Sequence, residues 1–270
     1  MKMLKYFLLI LFVLPFMAAA EMPKGGICAH QGDIENFPNN SIPGFKSALK
    51  LGAAMIEFDV IQCKTGELMV FHDPAIDKLT DGKGRVREMT FEELRKVKVF
   101  HRHRKPGVEP TQIATFQEVL DCIPKDGVWL NVHTHNPETV LKCARILEKE
   151  GRLHQAFIST NLNWMKKTRK EVPGIRFCNL SRTGKRNEKW TREQHKKYAA
   201  GTVKYGCSFV QPIQYFPQED VKYLHDNGIK ISFFECNDVK KVKEILDNGV
   251  DFIFTNNLKR IKDEYDRLKK

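Results

Sequence analysis

Residues 56–60 read Ile56-Glu57-Phe58-Asp59-Val60. Three large apolar side chains alternate with two carboxylates, the period of a strand with one apolar and one polar face. Ile56, Phe58 and Val60 suit packing against helices, and Glu57 and Asp59 share the opposite face. Two carboxylates buried side by side repel strongly unless a cation or a proton sits between them. The alternation therefore predicts a divalent metal on oxygen ligands. The competing reading, an exposed pair on an edge strand, is disfavoured by the apolar opposite face.

Outward from this strand, short β-branched or aromatic runs alternate with helical patterns, which argues for parallel βα units. Strands are expected at Gly26–His30, Met55–Ile61, Val128–His133, Ala156–Thr160, Arg176–Leu180, Ser208–Pro212, Lys230–Glu235 and Phe252–Thr255. Helices are expected at Ser41–Leu51, Pro137–Glu150, Leu162–Glu171, Thr191–Tyr205, Gln218–Asp226, Val239–Asp247 and Leu258–Leu268, with Ser41, Asn161 and Asn237 as start signals. Eight strands close a barrel. The expected fold class is α/β, a (β/α)8 TIM barrel over residues 21–270 with a small insertion between strands 2 and 3. That insertion reads as an extra strand at Glu67–Phe71, a charged Gly turn at Asp81–Gly84, a basic loop at Phe100–Pro110 and a helical stretch at Ala114–Cys122.

Residues 1–20 stand apart from this pattern. Lys2 and Lys5 precede an apolar run from Tyr6 to Met17, and Ala18, Ala19 and Ala20 follow, the order of a signal peptide. The run is shorter than the ~20 apolar residues of a spanning helix. Export to the periplasm or the medium is expected, with no stable membrane insertion after cleavage. The net charge of +12 suits a phosphate-bearing small molecule. No aromatic-interleaved basic motif points to nucleic acid. The 7 cysteines are scattered singly with no CxxC, so a zinc knuckle or thioredoxin-like site has no support.

In a barrel, chemistry gathers at the C-terminal strand ends. On the third strand, Asn131, His133 and His135 share one face, and His-x-His there is a metal or proton-transfer element. Two hydrogen-bonded rim histidines is the plainer reading of the same pair. His30 ends the first strand and His72 the extra strand, and together they suit general acid and base work in phosphodiester cleavage. Gln211 and Asn256 end strands six and eight. By parity with Phe234 inward, Glu235 is expected to point away from the mouth.

At these residues a family resemblance emerges. Ala29-His30-Gln31-Gly32, Pro38-Asn39-Asn40-Ser41, Leu51-Gly52-Ala53, Glu57-Phe58-Asp59-Val60, Lys64-Thr65-Gly66 and Phe71-His72-Asp73 follow one another in the order and spacing of the glycerophosphodiester phosphodiesterases. Ala114–Leu120 and Asn227–Thr255 extend the likeness through nearly all of the chain after residue 20. The resemblance implies that His30 and His72 act as acid and base and that Glu57 and Asp59 bind one Mg²⁺ or Ca²⁺. It further implies attack on phosphorus by the neighbouring glycerol hydroxyl, giving a cyclic phosphate that water opens to glycerol phosphate.

The departures are as specific. The family's Glu-x-Lys on strand three is His133 and His135 here, which makes His133 the expected third metal ligand and moves preference towards Mn²⁺ or Zn²⁺. The phosphate-binding arginine after the first histidine is Gln31, and the tryptophan of strand seven is Phe234. Gln31, His135, Gln211 and Phe234 are the expected substrate contacts. Arg102, Arg104 and Arg182 are candidates to supply the missing arginine. Two alternatives stand beside a working phosphodiesterase: a barrel that binds a phosphodiester without turning it over, and an amidohydrolase-like barrel built on the His-x-His.

Overall fold

In chain order the elements begin β1 (Gly26–His30), α1 (Ile42–Lys50), β2 (Met55–Gln62), β3 (Leu68–Val70), α2 (Phe91–Lys96), β4 (Lys98–Val99), β5 (Thr111–Gln112), β6 (Ala114–Thr115) and α3 (Phe116–Cys122). They continue β7 (Trp129–His133), α4 (Pro137–Lys149), β8 (Ala156–Thr160), α5 (Leu162–Glu171), β9 (Arg176–Asn179) and α6 (Arg192–Lys204). The last are β10 (Phe209–Val210), α7 (Gln218–Asp226), β11 (Lys230–Phe233), α8 (Val242–Asp247), β12 (Phe252–Thr255) and α9 (Leu258–Lys269). This computed structural model describes residues 21–182, 184–185 and 187–270. The expected signal peptide, residues 1–20, lies outside the described residues. Among the described residues no helix is long and apolar enough to cross a membrane.

Eight parallel strands pair in the order β1-β12-β11-β10-β9-β8-β7-β2, and β1 pairs with β2 to close the barrel. Its lumen is filled by Cys28, Met55, Trp129, Phe157, Phe209 and Phe252, with the Phe157 and Phe209 rings stacked at 3.9 Å. This plug decides where polar residues can sit. Strand side chains alternate, so the lumen residues Cys28, Met55, Trp129 and Phe252 are followed two positions later by His30, Glu57, Asn131 and Phe254, all facing the same enclosed mouth. The opposite set, including Ile56, Phe58 and Val60, packs under the helices. Phe58 there lies 5.8 Å from the Phe45 ring of α1 and 5.9 Å from Phe116 of α3.

The connection from β2 to β7 leaves the barrel and returns. Beyond the barrel mouth β2 pairs antiparallel with β3, Val60 opposite Val70, and β3 pairs antiparallel with β6. A separate cluster of Cys63, Met69, Phe71, Ile76, Val86 and Leu94 holds this excursion together. The basic stretch Phe100–Pro110 connects the paired strands β4 and β5.

Two expectations are corrected, and one helix has no counterpart among them. The six-residue helix α2 carries no sequence pattern long enough to announce it, and a Thr90–Glu93 capping box starts it. Residues 114–122 open with two strand residues before α3 begins behind the Thr115–Glu118 capping box. Asn237 does not cap the turn at 239–241. Asp238 accepts from Lys240 N–H instead, while Asn237 Oδ1 accepts from Thr255 Oγ1 and Asn256 N–H. All seven cysteines are free, six of them buried.

Candidate active site

Glu57 and Asp59 stand at the mouth end of β2, 2% and 5% exposed. The loop after β1 wraps them in donors. Gln31 N–H donates to Glu57 Oε2 at 3.1 Å, and Gln31 Nε2 donates to Asp59 Oδ2 at 2.7 Å. Asn40 Nδ2 donates to the same oxygen at 3.0 Å, while its Oδ1 accepts from Asp59 N–H. Gln31 and Asn40 reach these positions with φ of 58° and 56°.

His133, on the neighbouring strand β7, brings Nδ1 to 3.1 Å from Asp59 Oδ1 and 3.7 Å from Glu57 Oε1. One donor atom from each of Glu57, Asp59 and His133 lies within 4.8 Å of the others, a set that a single ion can bridge. The electrostatics fit a cation. Burial pushes the Glu57 carboxyl well above its ordinary range, and the Asp59 charge adds to this. Burial pushes Asp59 the same way, but the hydrogen bond and charge of His133, the His72 charge and Asn40 outweigh it and hold Asp59 low. The protein's own donors thus stabilise one carboxylate of the two, and positive charge between them would stabilise both.

His30 closes β1 with Nδ1 2.8 Å from Asn256 Oδ1. The same carboxamide donates through Nδ2 to Glu235 Oε2 at 2.6 Å, so its oxygen must face the ring and His30 Nδ1 must carry the hydrogen. In the neutral ring the lone pair is then on Nε2, 3.9 Å from Glu57 Oε2. Burial lowers the His30 pKa, against the Asn256 hydrogen bond and the Asp59 and Glu235 charges. Glu235 corrects the parity argument: its carboxylate lies 3.8 Å from His30 Nδ1. The regular strand ends at Phe233, so alternation no longer governs Phe234 and Glu235, whose joining peptide is cis.

His72 follows β3, is half-exposed, and sets Nδ1 2.7 Å from Asp73 Oδ1. Burial works to lower its pKa, yet the Asp59 charge and the bond and charge of Asp73 prevail and raise it. The pKa values of the two histidines are thereby shifted in opposite directions.

A cavity of about 300 Å³ joins Glu57 to the histidines. His30, His72, His133 and His135 line it together with Gln211 and Phe234. The His135 ring meets that of His133 at 4.4 Å, and burial followed by the His133 charge lowers its pKa. Phe234 sets its ring edge-on to His30 at 5.4 Å. Gln31 is elsewhere: it is 5% exposed, and its carboxamide is engaged by Asp59 and Asn39. Of the three candidate arginines only Arg182 lines the cavity. Arg104 stacks over Phe100, and Arg102 lines a different cleft. Sequence reasoning gave no role to Asn131 or Thr160 and did not foresee the relay from His30 through Asn256 to Glu235. A period-2 signal existed for Asn131, and none for a contact spanning 226 positions.

The model of the glycerophosphoryl diester phosphodiesterase family matches residues 30–260. The chain belongs to that family. Its homologues are phosphodiesterases, and the amidohydrolase-like alternative falls away. A glycerophosphodiester phosphodiesterase of Bacillus subtilis (strain 168) is 24% identical over 286 aligned residues, covering 94% of this chain and 94% of that one. Similarity to human glycerophosphodiester phosphodiesterase 1 is local, 32% over 119 residues, covering 42% of this chain and 36% of that protein. The fold is shared with a glycerophosphodiester phosphodiesterase of Agrobacterium tumefaciens at TM-score 0.72 and 20% identity, covering 88% of this chain and 99% of that chain. An Oleispira antarctica phosphodiesterase, solved in complex with the product sn-glycerol-3-phosphate, matches at TM-score 0.71 and 20% identity, covering 89% of this chain and 96% of that chain.

Proposed function

We propose that this protein hydrolyses glycerophosphodiesters to an alcohol and glycerol 3-phosphate, with His30 as general base and His72 as general acid. The observation that carries the reading is the pair of histidines with oppositely shifted pKa values on one cavity with Glu57 and His133, the latter 3.1 Å from Asp59. Neutral His30, its hydrogen held on Nδ1 by Asn256, takes the proton of the glycerol hydroxyl next to the phosphate. That oxygen bonds to phosphorus while the bond from phosphorus to the leaving alcohol breaks, and protonated His72 gives its proton to the departing oxygen. In the second step His72 takes a proton from water and the water oxygen bonds to phosphorus while the phosphorus bond to the attacking glycerol oxygen breaks, and His30 returns its proton to that oxygen.

Glu57, Asp59 and His133 would hold one divalent cation, which would supply positive charge to the phosphoryl oxygens. The mixed carboxylate–imidazole set favours Mn²⁺ or Zn²⁺ more than an all-oxygen site does. Gln31 and Asn40 keep Asp59 ionised and aimed. His135, Gln211 and Phe234, which line the same cavity, would contact the substrate. The pattern of residues 1–20 assigns the activity to the periplasm or the medium, and an exported form starting near Glu21 on N-terminal sequencing would support this.

The test is release of glycerol phosphate from glycerophosphocholine and other glycerophosphodiesters by the purified protein, stripped of metal and resupplied with Mg²⁺, Ca²⁺, Mn²⁺ or Zn²⁺. Ion-dependent turnover that is lost in His30→Ala and Glu57→Ala supports the reading. Binding without turnover under every ion would move the assignment to a phosphodiester-binding barrel.

A further inference from the structure

We propose that Arg182, with Asn131 and Thr160, anchors the non-bridging phosphoryl oxygens, moving the phosphate clamp from the β1 loop to the β7–β9 side of the mouth. The proposal takes the chemical class of its ligand from the phosphodiester reading above.

Among the described residues Arg182 is the one arginine or lysine lining the central cavity. Its Nε donates to the Gln211 carbonyl oxygen at 3.1 Å, and its guanidinium lies 5.9 Å from the Phe234 ring. These contacts fix the plane of the group. No carboxylate among the described residues pairs with it, so its two terminal nitrogens keep their donors for something else. A guanidinium held by Nε alone presents a two-pronged edge that matches two oxygens on one phosphorus.

The cavity floor beside it has the same character. Asn131 is fully buried; Ser159 Oγ donates to its Oδ1 at 2.6 Å, and its Nδ2 meets no acceptor in the protein. The Thr160 hydroxyl is also buried without a partner. Native interiors rarely leave such groups unmatched unless a ligand or water meets them. Asn131 on β7, Thr160 on β8 and Arg182 just after β9 stand on three adjacent staves and line one cavity. Arg182 offers donors only, and the Asn131 amide and the Thr160 hydroxyl each keep an uncommitted donor, which suits a ligand that accepts. Gln31 cannot fill this role, because its amide is already committed to Asp59.

Binding is the direct readout. Titration calorimetry with sn-glycerol 3-phosphate and with inorganic phosphate, on the Mg²⁺-supplied protein, would compare the natural protein with Arg182→Gln, Arg182→Lys and Arg104→Gln. At least a tenfold rise in Kd in Arg182→Gln, a smaller rise in Arg182→Lys and no change in Arg104→Gln is expected. Affinity in the natural protein should also fall more steeply with salt than in Arg182→Gln. An unchanged Kd in Arg182→Gln overturns the proposal. If that variant melts early, Thr160→Val decides. It removes only an unpartnered hydroxyl, so it should melt no lower than the natural protein while weakening phosphate binding a few-fold; undiminished affinity there counts against the cradle. Phosphate binding that depends on Arg182 without turnover of any diester would sink the catalytic reading and leave this one standing. Turnover with KM and Kd indifferent to Arg182 would do the reverse.

Discussion

Replacing Asn256 with alanine tests the assignment of His30 as base. Asn256 Oδ1 accepts the His30 Nδ1 hydrogen at 2.8 Å, and its Nδ2 is fixed by Glu235 at 2.6 Å. Truncation leaves a buried Nδ1–H without its acceptor, a cost of roughly 1–3 kcal/mol that the ring relieves by turning or changing tautomer. Either response takes the lone pair off Nε2. The productive state then lies higher by that amount, and kcat/KM should fall roughly 5- to 150-fold. Because Asn256 is not among the residues lining the central cavity, the loss should fall on kcat and leave KM nearly unchanged. The pH profile adds a sign. A base works when neutral, so activity rises with pH through the His30 pKa. The Asn256 hydrogen bond raises that pKa, so its removal should move the acidic limb to lower pH even as the plateau drops. Asn256→Asp keeps an acceptor but adds a negative charge, which raises the pKa and should move the same limb to higher pH. The assay is kcat/KM for glycerophosphocholine across pH in the three proteins. A plateau within twofold of the natural protein in Asn256→Ala, or limbs displaced in the same direction in both variants, would refute the reasoning.

Three further outcomes are expected. The Glu57 pKa is raised by burial and by Asp59, so its contribution to stability is present at low pH and lost as pH rises through the folded-state value. Metal-free Glu57→Gln should therefore melt higher than the metal-free natural protein at neutral pH, and a divalent cation should raise the melting temperature of the natural protein only, both visible by calorimetry. Asp73 raises the His72 pKa, and an acid works when protonated, so Asp73→Asn should move the alkaline limb of kcat/KM to lower pH; an unmoved limb would remove His72 from the acid role. At Gly26, φ is +148° and an added Cβ would stand 2.4 Å from Ala54 Cβ. Gly26→Ala should cost ~1–3 kcal/mol in urea unfolding through overpacking at the barrel's base.

The barrel was legible because each stave repeats one instruction. An apolar side chain fills the lumen, and two positions on a polar one appears, as in Met55, Glu57 and Asp59 or Trp129, Asn131 and His133. That rule carried the positions of the carboxylates and of the third-strand histidines. It stopped where the strands stop. Glu235 lies beyond the last β11 residue, and parity sent it the wrong way. Short elements such as α2 hold too few residues to show a period. Partners such as His30 and Asn256 meet only because β1 and β12 are neighbours in the closed barrel. Gln31 was read by analogy with an arginine at the same place, whereas its shorter neutral side chain turns back to Asp59.

His30 is carried by the barrel, whereas His72 is carried by the excursion after β2, which has an apolar cluster of its own. In the proposed reaction the two histidines would therefore rest on two apolar clusters, linked by the antiparallel rungs from Val60 to Gln62. Fluctuations that open the smaller cluster would withdraw His72, the proposed proton donor, while all eight staves remain paired. On heating, inactivation should then precede the loss of far-ultraviolet circular dichroism, and reverse fully on cooling so long as the barrel has not melted.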